Sequence, residues 1–585
     1  MLTSPFRLPR YTPFGLGESL VEWMTGLAKL DGFYQARPNA QSSFEFMRYT
    51  LSALNIDYRV EQGLVTHIPE QGPVVIVANH PLGAIEGVIL ADLVGAVRSD
   101  VKVLANQLLK RLPEIDELFI GIDVFAGRSA MRTNANAVRE AHRHLAQGGV
   151  LIVFPAGEVS TYREGSETLS DIEWSQSVAK FVTRAKATTI PIYINGQNSA
   201  LFYKAGKVHP LLRTALLGRE LLNKSASTIA ISIGNPIPYS EVKEFEHERD
   251  IVHYLRLNTY LMGADREPPF AFCSPVYTQP LIQPVEKALL ERDLAALPSN
   301  ALLLEQGDYA VYCVESTAIP NMLREIGRVR EESFREVGEG SGLACDLDPF
   351  DASYRQLFVW NHSEGELVGA YRLGLVDELT VEKGLDGLYS RSLFQYDEAF
   401  LNTLDKSIEL GRSVVAIKYQ RSLNALLLLW KGIAAFVSQH PQYTHLFGPV
   451  SISNDYSSVA RQLMAATLSI HHYDQEKARL VTPTTPLKTS TSPFWHKNLL
   501  SALASVSALS KVISRLEKGP GLPVLLRQYL GMKGKLVCFN VDPAFNHALD
   551  GLIVVNLKQV PLKTLAKYMG KEAAQRYLEQ LGLQK

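Results

Sequence analysis

Short apolar runs alternate with helical periodicity between Pro73 and Gly234. The runs are rich in β-branched residues, as buried strands are, whereas apolar positions from Arg132 to Leu145 recur at helical spacing. The strand-like runs read PVVIVAN, FIGIDV, GVLIVFP, TTIPIYI and STIAISIG. This alternation predicts an α/β sheet with helices on its faces.

A proline-rich segment separates this series from a second one. Five prolines from Arg266 to Pro284 exclude a continuous helix or a central strand. Strands are then expected at YAVYCV, QLFVWN, ELVGAYRLG and SIELGRSVV, with an apolar helix from Leu423 to Val437. Because 585 residues exceed what one hydrophobic core usually supports, we predict an α/β protein of two domains, over 1–267 and 296–585, joined by a linker over 268–295.

The composition narrows the function classes. A formal net charge of -1 does not indicate a basic surface that would bind nucleic acid. The four cysteines lie far apart, without the spacing of a zinc site or of a disulfide framework, which predicts no metal site and favours a reducing compartment. Since the start lacks a signal peptide and no later stretch is apolar enough to span a bilayer, we expect a cytoplasmic protein.

Two amphipathic stretches bear on membrane association. Apolar residues recur at helical spacing from Leu16 to Leu30 and from Leu499 to Leu516. Packing on its own domain is the favoured interpretation of each stretch, because most amphipathic helices face a core. The alternative is a helix that lies in the plane of a membrane, which predicts a protein peripherally associated with the cytoplasmic face of the inner membrane.

The first candidate site begins where the strand PVVIVAN ends. His80 follows this strand, and Glu86 comes a short turn later. A histidine oriented by a carboxylate suits general base catalysis, although such a pair alone is more often structural. Three further blocks follow in order: FIGIDVFAGR with Arg128, VFPAGEVS with Gly157 and Glu158, and IPIYINGQNS.

This ordered set, from about Gly72 to Gly234, resembles the lysophospholipid acyltransferases. The resemblance implies that His80 deprotonates an acceptor hydroxyl, which attacks the thioester of an acyl carrier protein or of coenzyme A, while Glu86 holds the imidazole. It also implies that Arg128, Gly157 and Glu158 bind substrate. The N-terminal domain is then an O-acyltransferase.

Two departures from that family pattern matter. Five residues separate His80 from Glu86, where the family has four. The third block has Ala156 and Val159 where the family commonly has a carboxylate and a phosphate-binding arginine. Without that bidentate donor we expect an acceptor other than a glycerol phosphate, unless Arg128 or Arg163 compensates.

The second candidate site is a set of charged residues within strand-like runs. Such residues are costly to bury unless paired, so a salt-bridge network and a functional site are about equally supported for any one of them. The set comprises Arg330 and Phe334 on one helix face, Asp348 and Asp351 in DPFD, Arg372 in GAYRLG, and Glu409 and Arg412 in IELGRSVV.

Between about Tyr309 and Leu468 this set resembles the acyl-homoserine-lactone synthases and the ornithine N-acyltransferases of the GNAT superfamily. The resemblance implies acyl transfer from acyl carrier protein to the α-amino group of an amino acid. Glu409 is then the candidate proton acceptor. Asp348 and Asp351 are candidates to hold an ammonium group, and Arg372 and Arg412 to order the site or bind a carboxylate.

The two halves compose a pathway and together resemble the bifunctional ornithine lipid synthases. The resemblance implies that the C-terminal domain N-acylates the amino acid, ornithine in that family, with a 3-hydroxyacyl group. The N-terminal domain would then O-acylate the 3-hydroxyl of the lyso-aminolipid. No cofactor is expected to stay bound, and the missing glycines in YQRSLNALLLLWKG favour acyl carrier protein as the donor.

Two alternatives remain open from the sequence. One is an O-acyltransferase that remodels phospholipids, with a C-terminal domain that only docks acyl carrier protein. The other is a non-enzymatic protein that binds membranes through its amphipathic helices.

Overall fold

The computed structural model describes residues 4–39, 42–123, 128–162, 168–264, 279–488, 495 and 497–583. The chain forms two compact units. The first comprises Met1–Ala264 and Thr491–Ala508, and the second comprises Asp265–Ser490 and Leu509–Lys585. Much of the predicted linker lies outside the described residues. The last part of the predicted linker, Lys287–Ala295, is a helix, and its Leu290 is buried in the apolar core of the second unit.

The first unit is built on a mostly parallel sheet, as the alternating pattern predicts. The strands of this unit are β1 (Ile56–Gln62), β2 (Val74–Ala78), β3 (Val101–Asn106), β4 (Phe119–Ile122), β5 (Val150–Val153), β6 (Thr161–Tyr162), β7 (Leu169–Ser170), β8 (Thr188–Asn195) and β9 (Ser227–Ile233). Strands β6 and β7 pair only with each other, and the other seven form the sheet. The strand order in the seven-stranded sheet is β1-β9-β8-β2-β5-β3-β4, and only β8 and β9 pair antiparallel. Strand β2 is central and fully buried, which fixes the position of the residues that follow it.

Helices flank this sheet. They are α1 (Leu16–Met24), α2 (Leu27–Gln35), α3 (Ser43–Leu54), α4 (Ala84–Gly95), α5 (Arg128–Ala146), α6 (Ser177–Ala185), α7 (Ala200–Val208), α8 (Pro210–Ala215), α9 (Leu217–Asn223), α10 (Tyr239–Val242) and α11 (Glu248–Tyr260). The helix predicted from Arg132 to Leu145 is α5, which begins one turn earlier.

The second unit contains an eight-stranded sheet in the order β10-β11-β12-β13-β15-β16-β19-β18. The strands of this unit, with a separate pair formed by β14 and β17, are β10 (Leu302–Gln306), β11 (Tyr309–Glu315), β12 (Arg355–Asn361), β13 (Glu366–Leu375), β14 (Phe394–Gln395), β15 (Ser407–Val415), β16 (His445–Ile452), β17 (Thr482–Pro483), β18 (Lys535–Asp542) and β19 (Ala548–Asn556). All neighbours in the large sheet are antiparallel except β15 and β16. These two strands pair only from Ser407 to Glu409, so the sheet forks beyond Glu409.

The remaining helices include the predicted apolar helix, which is α16. They are α12 (Lys287–Ala295), α13 (Pro320–Glu336), α14 (Val376–Lys383), α15 (Glu398–Asn402), α16 (Leu423–Gln439), α17 (Ser458–His471), α18 (Gln475–Ala478), α19 (Lys497–Leu500), α20 (Val506–Glu517), α21 (Val524–Gly531), α22 (Leu562–Met569) and α23 (Lys571–Gln580). Helix α19 belongs to the first unit, although the sequence placed it in the second domain.

The apolar residues from Leu499 to Leu516 are mostly buried, but they do not form one helix. The part up to Ala508 belongs to the first unit, not to the domain on which it was expected to pack. The helical parts are Lys497–Leu503 and Val506–Glu517, with a break between them. Leu499 and Leu503 are buried on one side of the break, and Leu509 and Val512 on the other. Among the described residues no single helix has the length and apolarity to cross a bilayer, and this pair alone passes that test as a pair.

Helix α1 contradicts the favoured interpretation of packing on its own domain. Leu16, Leu20 and Trp23 are 70%, 57% and 73% exposed. The face turned to the protein instead carries Glu18 and Glu22, whose carboxylates accept hydrogen bonds from backbone N–H groups of the preceding segment. Because these buried glutamates hold the helix in place, its apolar residues are left facing outward.

Candidate active sites

Asn79 fixes the chain just before His80. Its side-chain amide donates to the backbone oxygen of Ile194 at 2.9 Å and accepts from the backbone N–H of Ile194 at 2.7 Å. This pair of hydrogen bonds ties the end of β2 to β8. His80 therefore starts from a rigid strand end, the position at which open α/β sheets collect ligand-binding groups.

Glu86 returns to His80 across a tight turn. The Nδ1 atom of His80 lies 3.2 Å from Oε2 of Glu86, and the Glu86 side chain is fully buried in the first turn of α4. Gly83, with φ of +104°, reverses the chain direction between them, in a conformation that side-chain-bearing residues rarely adopt. The extra residue relative to the family spacing is absorbed in this turn, so the predicted pairing is geometrically available.

The surroundings of His80 raise the pKa of its imidazole. Burial by itself lowers the pKa of His80, but the carboxylates of Glu86 and Asp171 outweigh it, and the pKa lies above the ordinary value. With Nδ1 facing Glu86, Nε2 is left to take a proton from a substrate hydroxyl. The ring also lies against Phe154, with centroids 4.6 Å apart.

The third sequence block borders this histidine. Ala156 and Val159, which replace the family's charged residues, are both buried, so an apolar wall stands where a phosphate donor would be expected. Gly157 has φ of +71° and has open space beside it. Glu158 forms an ion pair with Arg213 of α8 rather than pointing freely toward a substrate.

Several residues outside the predicted set support the His80 loop. Asn198 donates to the backbone oxygens of Pro81 and Leu82, so it caps this loop. Asp171 contacts the backbone of His80 and was missed because nothing in its local sequence marks it. Arg128 is the first residue of α5, but its side chain lies outside the described part of the chain, as does the loop over 163–167.

The structure brings the charged residues of the second unit together as a buried network. Asp351 pairs with Arg330 at 2.7 Å, and Asp348 pairs with Arg372 at 2.7 Å and with Arg412 at 3.3 Å. The two aspartates also cap the short turn that joins them, each accepting from the backbone N–H of the other. Burial raises the pKa of Asp348, but the two arginines outweigh it and hold the pKa below its ordinary value. These contacts occupy the aspartates that were expected to hold an ammonium group.

Arg412 is aimed by an irregular backbone. Its φ of +47° is in the left-handed region, and the register of β13 with β15 shifts between Ala370 and Arg372. A bulge of this kind redirects a side chain and is common beside active sites. The Arg412 guanidinium lies over the rings of Tyr389 and Phe545, at 5.3 Å and 4.6 Å.

Glu409 is the last paired residue before the sheet forks. Its buried carboxylate accepts hydrogen bonds from the Tyr354 hydroxyl, from the backbone N–H of Tyr389 at 3.1 Å and from that of Ser390 at 2.6 Å. Tyr389 thereby links Glu409 to the arginines, because its ring also lies 5.1 Å from Arg372. The role of Glu409 as proton acceptor stays a prediction, and it requires that one of these donors be displaced or relay the proton.

Two further carboxyl groups on the other side of the fork were not found from the sequence. Burial, reinforced by nearby carboxylates, raises the pKa of Glu339 to about 8 and that of Asp550 to about 7. Asp550 lies on β19 opposite Ser451 of β16, and its carboxylate accepts a hydrogen bond from the Ser451 hydroxyl at 2.6 Å. Groups with such pKa values exchange protons near neutral pH, the property required of an acid or base at an amine.

Two parts of the chain match known protein families. Residues 33–267 match the family described as "Acyltransferase", and residues 329–431 match the family described as "Acetyltransferase (GNAT) domain". The first match includes His80 and Glu86, and the second runs from α13, next to Arg330, into α16. The predicted fold class, an acyltransferase-like α/β domain followed by a GNAT-like α/β domain, is confirmed.

Individual relatives carry two descriptions, one of an N-acyltransferase and one of an O-acyltransferase. The glycine N(alpha)-acyltransferase of Bacteroides thetaiotaomicron is 35% identical over 36% of this chain, which spans 65% of that protein. The protein of the same description from Phocaeicola vulgatus is 31% identical over 44% of this chain and 82% of its own length. The lyso-glycine lipid O-acyltransferase of Phocaeicola vulgatus is 30% identical over 32% of this chain and 66% of its own length.

Proposed function

Since this chain is an acyltransferase that belongs to the family of the Phocaeicola vulgatus glycine N(alpha)-acyltransferase, we propose that it makes a diacylated amino-acid lipid in two steps. The second unit attaches a 3-hydroxyacyl group to the α-amino group of an amino acid. The first unit then esterifies the 3-hydroxyl of that product with a second acyl chain. Joining both steps in one chain raises the effective concentration of the intermediate at the second site.

The His80–Glu86 pair is the observation that carries the proposal for the esterification. As the substrate hydroxyl attacks the thioester carbon, its proton passes to Nε2 of His80, and the buried Glu86 carboxylate stabilises the imidazolium. The leaving thiolate takes that proton when the tetrahedral intermediate collapses, which yields an ester and a free thiol. The buried Ala156 and Val159 suit an acceptor without a phosphate group.

The forked sheet supports the N-acylation. Beyond Glu409 the backbones of β15 and β16 no longer pair, and Arg412 on β15 stands near Asp550 on β19. A neutral amine that attacks a thioester there releases a proton, which a carboxylate can accept, and the thiolate leaves with a proton from solvent. We propose acyl carrier protein as the donor, because Ser422 already caps the start of α16 and this turn contains no glycine to cradle a nucleotide phosphate.

We propose ornithine as the acceptor amino acid, although the relatives described above are named for glycine. Burial raises the pKa of Glu339, Asp542 and Asp550, and repulsion by neighbouring carboxylates raises those of Glu339 and Asp550 further. The cations near these groups include Arg461 and Arg412. A second ammonium group on the substrate would relieve that repulsion. Ornithine carries such a group, and glycine does not.

Lipid analysis of a host that lacks aminolipids tests this function. Cells that express the wild-type chain should contain a new diacylated aminolipid, and feeding with isotope-labelled ornithine or glycine identifies the head group by its mass shift. Glu409→Gln should lower N-acylation by about 100-fold, because the amide cannot accept from all three of its donors or take up a proton. Both the diacyl and the monoacyl product should then disappear.

The matched control for this experiment is Glu382→Gln, on the exposed surface of α14. It should leave the lipid profile unchanged. Unaltered lipids with the wild-type chain would contradict the two-step function. A normal product from Glu409→Gln would remove that residue from the mechanism, and labelling by glycine alone would replace ornithine as the acceptor.

We also propose that the chain works at a membrane surface, which its lipid product requires. The exposed apolar face of α1 supports this, because Leu20 and Trp23 are of the kind that enters the interfacial region. In a flotation assay with phosphatidylglycerol and phosphatidylethanolamine vesicles, the double variant Leu20→Glu/Trp23→Glu should bind at least about tenfold more weakly, since two charges replace apolar contact. Val381→Glu, at an apolar residue 86% exposed on α14, is the control and should float normally. Equal flotation of all three proteins would contradict the proposed role of α1.

A further inference from the structure

Asp171 is a buried carboxylate that joins three parts of the first active site. Its Oδ1 atom accepts from the backbone N–H of His80 at 3.2 Å and from the Ser160 hydroxyl at 2.5 Å. Its Oδ2 atom accepts from the indole N–H of Trp174 at 2.8 Å. The side chain has no exposure to solvent. A carboxylate this deep in the protein is costly to keep ionised unless it serves the structure or the chemistry around it.

The connections of Asp171 fix the main chain of His80 from two sides. Ser160, whose hydroxyl is bound by Asp171, donates its own backbone N–H to the His80 carbonyl at 2.8 Å. Asp171 itself is anchored to α11, since its backbone N–H donates to the Tyr260 hydroxyl and its carbonyl accepts from Arg256. His80 is thus held to the third sequence block and to α11 through one side chain.

The second contribution of Asp171 is electrostatic. After burial, which lowers the pKa of His80, the groups that raise it are Glu86 and then Asp171. Further titratable or charged groups packed around Asp171 include Tyr193 on β8 and Tyr260 and Arg256 on α11. The imidazolium that forms during hydroxyl deprotonation would therefore be stabilised by two carboxylates from different parts of the chain.

We propose that Asp171 is a positioning residue of the His80 site, which holds the histidine main chain against Ser160 and supplies a second negative charge beside the imidazole. This inference rests on the proposed esterification. Glu86 contacts the imidazole itself, whereas Asp171 acts through the backbone and through its field. Placing fixed negative charge around a developing cation stabilises the transition state without reorganisation during the reaction.

The test is the pH profile of ester formation by the full-length protein. The probes are synthetic N-(3-hydroxyacyl)ornithine and N-(3-hydroxyacyl)glycine with an acyl-carrier-protein thioester. Because the imidazole must be neutral to accept a proton, kcat/KM rises with pH through the raised pKa of His80. Asp171→Asn removes a negative charge, so the midpoint should move to lower pH by about half a unit to one unit, with kcat reduced about tenfold and KM little changed.

Two other variants separate this role from a merely structural one. Asp92→Asn makes the same chemical change on α4, where the carboxylate contacts Arg48 and Tyr58, and its midpoint should equal that of the wild type. Ser160→Ala removes a donor from Asp171 but keeps its charge, so the midpoint should stay or move to higher pH. If circular dichroism shows that Asp171→Asn does not fold, the Ser160→Ala variant provides the test. A midpoint for Ser160→Ala below that of the wild type then overturns the proposal.

An unmoved midpoint in a folded Asp171→Asn protein also overturns the proposal, because the residue would then serve packing alone. Failure of the proposed esterification has a different signature. In that case the wild-type protein would acylate neither synthetic acceptor at any pH, so the two failures are distinguishable.

Discussion

Replacing His80 by alanine is expected to stop the esterification while N-acylation continues. Cells that express His80→Ala should accumulate the monoacylated aminolipid and contain little or none of the diacylated form. The physical reason is that Nε2 is the proton acceptor for the substrate hydroxyl, and positioned acid-base groups contribute about 100-fold to 10,000-fold in rate. Lipid mass spectrometry measures the two products in one extract, so the ratio of monoacyl to diacyl lipid reports the second step alone.

The matched control for this variant is His247→Ala, at an exposed histidine that precedes α11. Its lipid profile should equal that of the wild type. The folding of His80→Ala should also be measured, because His80 packs against Phe154 and the substitution removes that contact. Diacyl lipid at the wild-type level from a folded His80→Ala protein would contradict the catalytic role, and loss of both lipids would show that the substitution disturbs more than the esterification.

Much of the first unit was predictable because its signals are local. Buried strands of β-branched residues, each followed by polar or small residues, mark both the sheet and the edge at which ligand groups gather. His80 is found this way, since it directly follows β2. Glu86 was less secure, because a sequence does not show that Gly83 can turn the chain enough to absorb an extra residue.

Asp171 shows what local signals do not carry. It lies 91 positions from His80 and 89 positions from Tyr260, and it contacts both. Only packing of the whole unit brings these side chains together. The same reason explains why Thr491–Ala508 was assigned to the wrong part of the chain, since apolar periodicity indicates that a helix is buried but not which core buries it.

In the second unit the residue types were predictable but their arrangement was not. The sequence left a salt-bridge network and a functional site about equally supported for Asp348, Arg372 and Arg412. The contacts now observed favour a network for the aspartates, because their oxygens are used by arginines and by backbone caps. The bulge that redirects Arg412 depends on the pairing of β13 with β15, which the spacing of charged residues does not reveal.

The largest stability effect is expected from Asp351→Ala. Asp351 is buried and lies 2.7 Å from Arg330 and 3.5 Å from Arg372, whose side chains are both fully buried. Removing one partner of a buried ion pair leaves an uncompensated charge, which destabilises a protein by about 3–5 kcal/mol. Chemical denaturation should therefore show an early transition for the second unit. Asp386→Ala, at an exposed residue after α14, should leave the transition unchanged.

The loss in Asp351→Ala should be confined to the unit that contains the network. All contacts of Asp351 described here lie in the second unit, so N-acylation should fall as that unit unfolds. Because a two-domain protein need not unfold in one step, esterification of a supplied N-(3-hydroxyacyl) amino acid should persist under conditions that unfold the second unit. A single transition at the wild-type denaturant concentration would mean that Arg330 and Arg372 find other partners. Simultaneous loss of both activities would mean instead that the two units depend on each other for folding.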